Sequence, residues 1–212
     1  MTEVKRIKYG NGNCFIISNG DNAVLADTCH TKYREKILNA CKGYNIRLIV
    51  LTHGHIDHIQ NAAYLSGELN APIAMNGEDI PLIGDNMRQP LKAESFLGKI
   101  VLALSEKSFR EDEIPAFEPT VLLKDGDTLE EYGIPAEIMA VPGHTKGSIA
   151  IDVDKKYLIV GDALMNMFYP TVSMLYNDKE EMLKSAKKIC EIGDRMICFG
   201  HGKEMGNRDW VK

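Results

Sequence analysis

No stretch of this 212-residue chain holds the ~18 consecutive apolar residues of a membrane-spanning helix. The first residues, MTEVKRIKYGNGN, contain no apolar export segment. The sequence therefore reads as cytoplasmic, without a membrane partner. A basic excess is also missing. Lys and Arg number 25 against 30 Asp and Glu, a formal net charge of −5, whereas a nucleic-acid binder needs a basic face. The five cysteines, Cys14, Cys29, Cys41, Cys190 and Cys198, form no CxxC pair. That pattern fits free thiols in a reducing compartment, with Cys14, Cys190 and Cys198 read as small buried apolar residues. No Pro/Gly/Ser-rich linker and no short repeat divides the chain. The expectation is one domain over residues 1–212, with an inserted segment at about 85–117. Apolar residues at 44% and charged residues at 26% are ordinary globular usage, so disorder, coiled coil and collagen are excluded.

What is present is a series of short apolar segments. Residues 4–8, 14–18, 23–27 and 47–52 read as strands. Tyr33, Ile37, Leu38 and Cys41 have helical spacing within 32–43, and a second helix is expected near 58–69. The later half repeats the theme, with strands at 121–123, 137–141, 148–153, 157–160 and 196–199. Asp154-Lys155 suits a hairpin turn, and 179–192 is an amphipathic helix. Strands interleaved with helices predict an α+β class with helices covering sheet faces. Within 85–117, Phe96, Leu97, Ile100, Val101 and Leu104 form one helical stripe ahead of the polar stretch SEKSFREDE. Such a stripe packs on the core or forms a lid or dimer element over a cleft, and Phe96 is the expected contact to a substrate's acyl chain.

Histidine is rare, yet three of the six fall in one hexapeptide, HGHIDH, from His53 to His58. At this composition, three histidines and an aspartate at fixed places arise by chance about 3 times in 10,000, which makes the motif specific. The hexapeptide follows the apolar strand RLIVLT and opens a helix. A strand end aims side chains into a cleft. His53 and His55 can reach one metal from the loop, while Asp57 and His58 can turn toward a second. Imidazole and carboxylate donors suit zinc, iron and manganese. The plainer reading makes Asp57 a helix cap and the histidines solvated loop residues. His144 in PGHTKGS, Asp162 in VGDAL and His201 in FGHGKE each follow an apolar strand and a glycine that eases a sharp turn. Singly, each such residue is more often structural. Together with HGHIDH they make seven donors, enough for two metals.

In this order and over residues 4–202, these motifs resemble those of the metallo-β-lactamase-fold hydrolases, in particular compact glyoxalase II-like or lactonase-like members. The resemblance implies an αββα sandwich: two mixed sheets with helices on both outer faces and a dinuclear site at one edge. It implies that His53, His55 and His144 hold one metal and Asp57, His58 and His201 the other, with Asp162 bridging both. The metals would be two divalent ions, zinc first, with iron or manganese as alternatives. The implied reaction is attack by a metal-bridging hydroxide on an ester, thioester or lactone, with Asp57 catalytic, holding the nucleophile and moving its proton to the leaving group. Asp27, in VLADTCH, matches an aspartate that orients a metal-bound histidine in the family; a turn or cap role is the alternative.

The departures narrow the choice. DTC stands where the family often has DTG, and His30 beside it reads as a surface or supporting residue. Lys146 replaces a frequent proline and should be solvated. True β-lactamases usually lack an aspartate at the place of Asp162. Lactonases usually carry a tyrosine where this chain has Met165, although Tyr169 is near. The helical extension of glyoxalase II, the RNA-binding arm of tRNA-processing members and the flavodoxin domain of flavodiiron proteins are not seen. The expected partner is a small-molecule substrate, without nucleic acid, and homodimerisation stays open. Two other activities remain: a persulfide dioxygenase-like enzyme with one iron, and a phosphodiester hydrolase.

Overall fold

The computed structural model describes residues 1–211. Gly12–Asn19 is apolar at nearly every central position, so both faces of that strand can be buried, and they are. It is β2 of a six-stranded sheet in the order β1 (Thr2–Tyr9), β2, β3 (Asn22–Ala26), β4 (Asn45–Val50), β5 (Ile73–Met75), β6 (Val121–Leu122). β1 to β3 run antiparallel, and β3 to β6 pair in parallel. The second sheet follows with β7 (Ala136–Ala140), β8 (Ile149–Val153) and β9 (Tyr157–Gly161). After a short ribbon of β10 (Leu164–Met165) and β11 (Thr171–Val172), it is completed by β12 (Met196–Phe199) and β13 (Met205–Gly206). It is mixed too, because β12 pairs in parallel with β9 and antiparallel with β13.

Alternation along the strands sorts the core into three apolar layers. Phe15, Ile17, Leu48 and Val50 of the first sheet meet Ile138, Ile149, Ile151 and Ile159 of the second. The alternate residues Cys14, Ile16, Ile49 and Leu51 face outward, against α1 (Arg34–Cys41) and α3 (Ala62–Leu69) through Ile37, Cys41, Ala62 and Leu65. On the far side Leu158, Val160, Ile197 and Phe199 pack beneath α6 (Lys179–Glu191) through Ala186 and Ile189, with Trp210 beside them. Helix, sheet, sheet, helix is the αββα order expected above. Asp178 caps α6 by accepting from the amides of Glu180 and Glu181.

Several local expectations are refined. Asp154 and Lys155 both adopt φ of 51° at the β8–β9 hairpin, the left-handed pair a two-residue turn needs. The single helix expected near 58–69 is two, α2 (Ile56–Ile59) and α3, with Gln60 and Asn61 between them. Asn61 explains the break: its amide donates to the carbonyls of Thr28, Cys29 and His30, which ties the loop after β3 to this corner. β5 and the β10–β11 ribbon were absent from the pattern because each is two or three residues long. The segment 85–117 follows α4 (Pro81–Gly84) and is dominated by α5 (Phe96–Glu111), which runs through the polar stretch to Glu111. The five cysteines are free; Cys190 is only half-buried, against expectation, because it lies beside the solvent-facing side of α6. No described helix is long and apolar enough to cross a membrane.

Candidate metal centre

The ends of β3, β4, β9 and β12 and the loop after β7 open on the same edge of the sandwich. The loop after β4 carries His53 and His55, and α2, which it enters, carries Asp57 and His58; the loops of the second sheet carry His144, Asp162 and His201. All seven predicted donors meet there. Three overlapping triads have donor atoms within 4.8 Å of one another: His53, His55, His144; His53, His58, Asp162; and Asp57, His58, His201. Asp162 sits between the groups, 3.5 Å from His58 Nε2, 3.8 Å from His144 Nε2 and 3.4 Å from His201 Nε2. His201 Nε2 is 3.2 Å from Asp57 Oδ2.

The histidines are held from behind. The Nδ1 of His58 faces Asp27 Oδ2 at 2.8 Å, that of His144 the Leu175 carbonyl at 2.8 Å, and that of His201 the Asn11 carbonyl at 3.2 Å. His53 Nδ1 lies 3.2 Å from Thr52 Oγ1. An acceptor behind Nδ1 fixes the tautomer that leaves Nε2 free toward the centre. His55 is the exception, with Nδ1 2.9 Å from His144 Nε2. Buried and without a partner are His53 Nε2, His55 Nε2, His58 Nε2 and Asp162 Oδ1. Buried polar atoms without partners are costly, and three of these residues, His53, His58 and Asp162, form one donor triad that fits a cation. Burial and the neighbouring imidazoles hold His53 and His55 well below the usual histidine range. Burial acts against the charge of His58 as well, but the Asp27, Asp57 and Asp162 carboxylates outweigh it and raise its pKa to about 10. Asp162 and Asp57 likewise raise His201 to about 9 against burial. Cationic imidazoles held by carboxylates mark the places where a metal ion would take over the charge.

Asp27 takes the orienting role. Besides His58 it accepts from Thr52 N and Thr52 Oγ1, at 2.8 and 3.0 Å. It does so at φ of 62°, a left-handed geometry that aspartate tolerates better than most residues. The glycines before the ligands act in two ways. Gly161 has φ of 50°, as a sharp turn requires. Gly200 does not have a positive φ; a side chain there would instead fall on Asp162 and His58. His30 stays outside the donor triads, with Nδ1 3.2 Å from Gln60 Oε1, and Lys146 points to solvent.

Asp79 escaped the sequence reading. It is fully buried and joins both ligand loops. Oδ2 accepts from Gly54 N at 2.9 Å and Thr145 Oγ1 at 2.6 Å; Oδ1 accepts from Gly147 N at 2.8 Å and Gln89 Nε2 at 3.0 Å. Burial pushes its pKa up, and these donors pull it back. Asn86 adds a second tie, donating to the Gly54 carbonyl and accepting from Ile56 N. No local pattern marks either residue.

A cavity of about 330 Å³ lies over the centre. Ile100, Val101, Leu104 and Phe109 of α5 line it, together with Met165 and Phe168. Phe109 stacks on the His55 ring, centroids 4.8 Å apart. Phe96 does not line the cavity and is 78% exposed. It occupies the first turn of α5, beyond the cavity rim, so the expectation for that residue is corrected. The covering role belongs to the later turns of the same helix.

A family model described as the metallo-beta-lactamase superfamily matches residues 7–201. Hydroxyacylglutathione hydrolase GloC of Haemophilus influenzae is 28% identical over 162 residues, 74% of this chain and 69% of that protein. Among solved structures, the BLEG-1 B3 metallo-beta-lactamase superposes with a TM-score of 0.76 at 21% identity, covering 96% of this chain and 94% of its own. TTHA1623, solved in a di-iron-bound form, does so with a TM-score of 0.71 at 22% identity, covering 95% and 94%.

Proposed function

Because this chain belongs to the metallo-beta-lactamase superfamily, whose members are largely metal-dependent hydrolases, we propose that it is a dinuclear metal-dependent hydrolase of an ester, thioester or lactone. The observation that carries the reading is the convergence of seven His and Asp donors, four of whose buried atoms have no partner. His53, His55 and His144 would hold one divalent ion, Asp57, His58 and His201 the other, and Asp162 would lie between them. Zinc, iron and manganese all suit this donor set. When bound, such ions supply Lewis acidity and a water acidified to near neutrality.

The chain's own groups do the rest. Asp57 is partly open to the cavity, and its Oδ2 lies beside His201 Nε2. His58 and His201 hold it well below the usual carboxylate range, against the opposing effect of burial. An ionised Oδ2 can take a proton from an attacking water and return it to the departing oxygen or sulfur. The apolar wall of α5 excludes water from the acyl side of the scissile bond. The GloC relative, named as a hydroxyacylglutathione hydrolase, favours a thioester within this class. Against a single-iron persulfide oxidation stands the number of donors, which exceeds the three that one such iron requires.

The test combines elemental analysis with turnover of ester, thioester, lactone, phosphodiester and persulfide panels. Two metal equivalents and carbonyl hydrolysis are expected. His55→Ala and Asp162→Ala should stay folded and lose turnover to background. Wild-type turnover in either variant, or oxygen consumption on persulfides without hydrolysis, overturns the proposal.

A further inference from the structure

A second cavity, about 320 Å³, adjoins the first, and the two share Asn11 and Met167. Their chemistry is opposite. No lysine or arginine lines the cavity over the donors. The adjoining groove is lined by Arg6, Lys8, Asn11, Asn13, Asn166 and Lys203, with no carboxylate on its walls. This concentration of positive charge stands out in a chain of net charge −5. Glu204 offsets Arg6, at 2.6 Å, and leaves the exposed Lys8 and Lys203 as the excess cations.

The groove is built on the loop that carries His201. Asn13 Nδ2 donates to the carbonyls of Phe199 and Gly202, at 2.9 and 2.7 Å. Asn166 donates to the Lys203 carbonyl at 2.8 Å. Asn11 accepts from His201 Nδ1 and faces both cavities. A molecule centred on the donor cluster therefore reaches an uncharged apolar wall on one side and the exposed ammonium groups of Lys8 and Lys203 on the other.

Resting on the acyl-hydrolase reading above, we propose that the substrate is bipartite. An uncharged apolar half lies under α5, and an anionic half, phosphate or carboxylate, lies in the Lys8–Lys203 groove across the scissile bond. Anions entering such a groove gain from fixed charge and lose little by desolvation at its exposed rim.

Stable thioethers test this without turnover, because they bind in either direction and cannot be cleaved. The probes are S-hexyl coenzyme A, carrying phosphates, S-hexylglutathione, carrying carboxylates, and neutral S-hexyl-N-acetylcysteamine. Their affinities for the metal-loaded protein are read by calorimetry. At least one anionic thioether should bind about tenfold more tightly than the neutral one. The double variant Lys8→Glu/Lys203→Glu should abolish that advantage and leave neutral binding unchanged. Leu104→Asp should weaken all three probes. The tighter anionic probe identifies phosphate or carboxylate as the group read. Equal binding of all three by the wild type, or an anionic advantage that survives charge reversal, overturns the groove assignment. Unchanged binding in Leu104→Asp overturns the apolar half. Thioethers that bind as expected while no thioester is cleaved refute the hydrolase reading alone.

Discussion

Replacing Asp79 isolates the junction between the two ligand loops. In Asp79→Asn one carboxylate oxygen becomes an NH₂ group. If it takes the Oδ2 place, the Thr145 hydroxyl, 2.7 Å from Ser148 Oγ, can turn and accept from it. Gly54 N–H cannot turn, and it faces a donor at 2.9 Å. One buried unsatisfied amide costs about 1–3 kcal/mol. At about 2–4 °C per kcal/mol for a chain of this size, the unfolding midpoint of the metal-free protein should fall by roughly 2–12 °C. Asp79→Ala strands the amides of both Gly54 and Gly147, and the Gln89 side chain loses one acceptor while keeping the Glu78 carbonyl. The expected loss is about 3–5 kcal/mol, a large part of the ~5–15 kcal/mol that stabilises a typical domain. Because these loops carry His53, His55 and His144, metal affinity should drop about 10–100-fold even in the milder variant. Thermal unfolding of the metal-free protein and competitive metal titration measure the two effects separately. If Asp79→Ala matches the wild type in both midpoint and metal affinity, the junction is not what holds the loops.

Asp27→Asn should weaken metal binding about 10–100-fold by loosening His58, and a competitive chelator titration reads it. Metal uptake at pH 7 should release about two protons, from His58 and His201, whose carboxylate neighbours raise their pKa values to about 10 and about 9 in the metal-free chain. Calorimetry in buffers of differing ionisation enthalpy counts them, and the release should fade as pH rises through those values; uptake without proton release contradicts the assignment. Leu104→Ala should raise KM for long-chain acyl substrates several-fold at unchanged metal content, whereas Phe96→Ala should leave KM unaltered, since only Leu104 lines the cavity.

The donors were legible because each sits within a few residues of an apolar strand, and strand ends are the most readable feature of a layered fold. HGHIDH after β4 and single residues after β7, β9 and β12 need only local pattern. Asp79 was not legible, because its partners on the two ligand loops lie 25 to 68 residues away and an aspartate in a single helical turn carries no periodic signal. α5 was half legible. Its apolar stripe marked the first turns, but Phe109, which touches His55, lies in a polar stretch where the pattern suggests an end to the helix. Its burial is decided by the cavity it faces, and no helical repeat records that.

The donor set divides between the sheets, four residues from the first and three from the second. This division gives the centre an order of assembly. During synthesis the first sheet precedes the second, and its inner face of Phe15, Ile17, Leu48 and Val50 has nothing to pack on until β7 to β9 follow. The loop after β4 then holds only part of the donors, a weak site. His201, beyond β12, arrives last. Full coordination of a metal would therefore be open only to a chain whose two sheets have already docked, so tight metal capture would select finished molecules over partial ones.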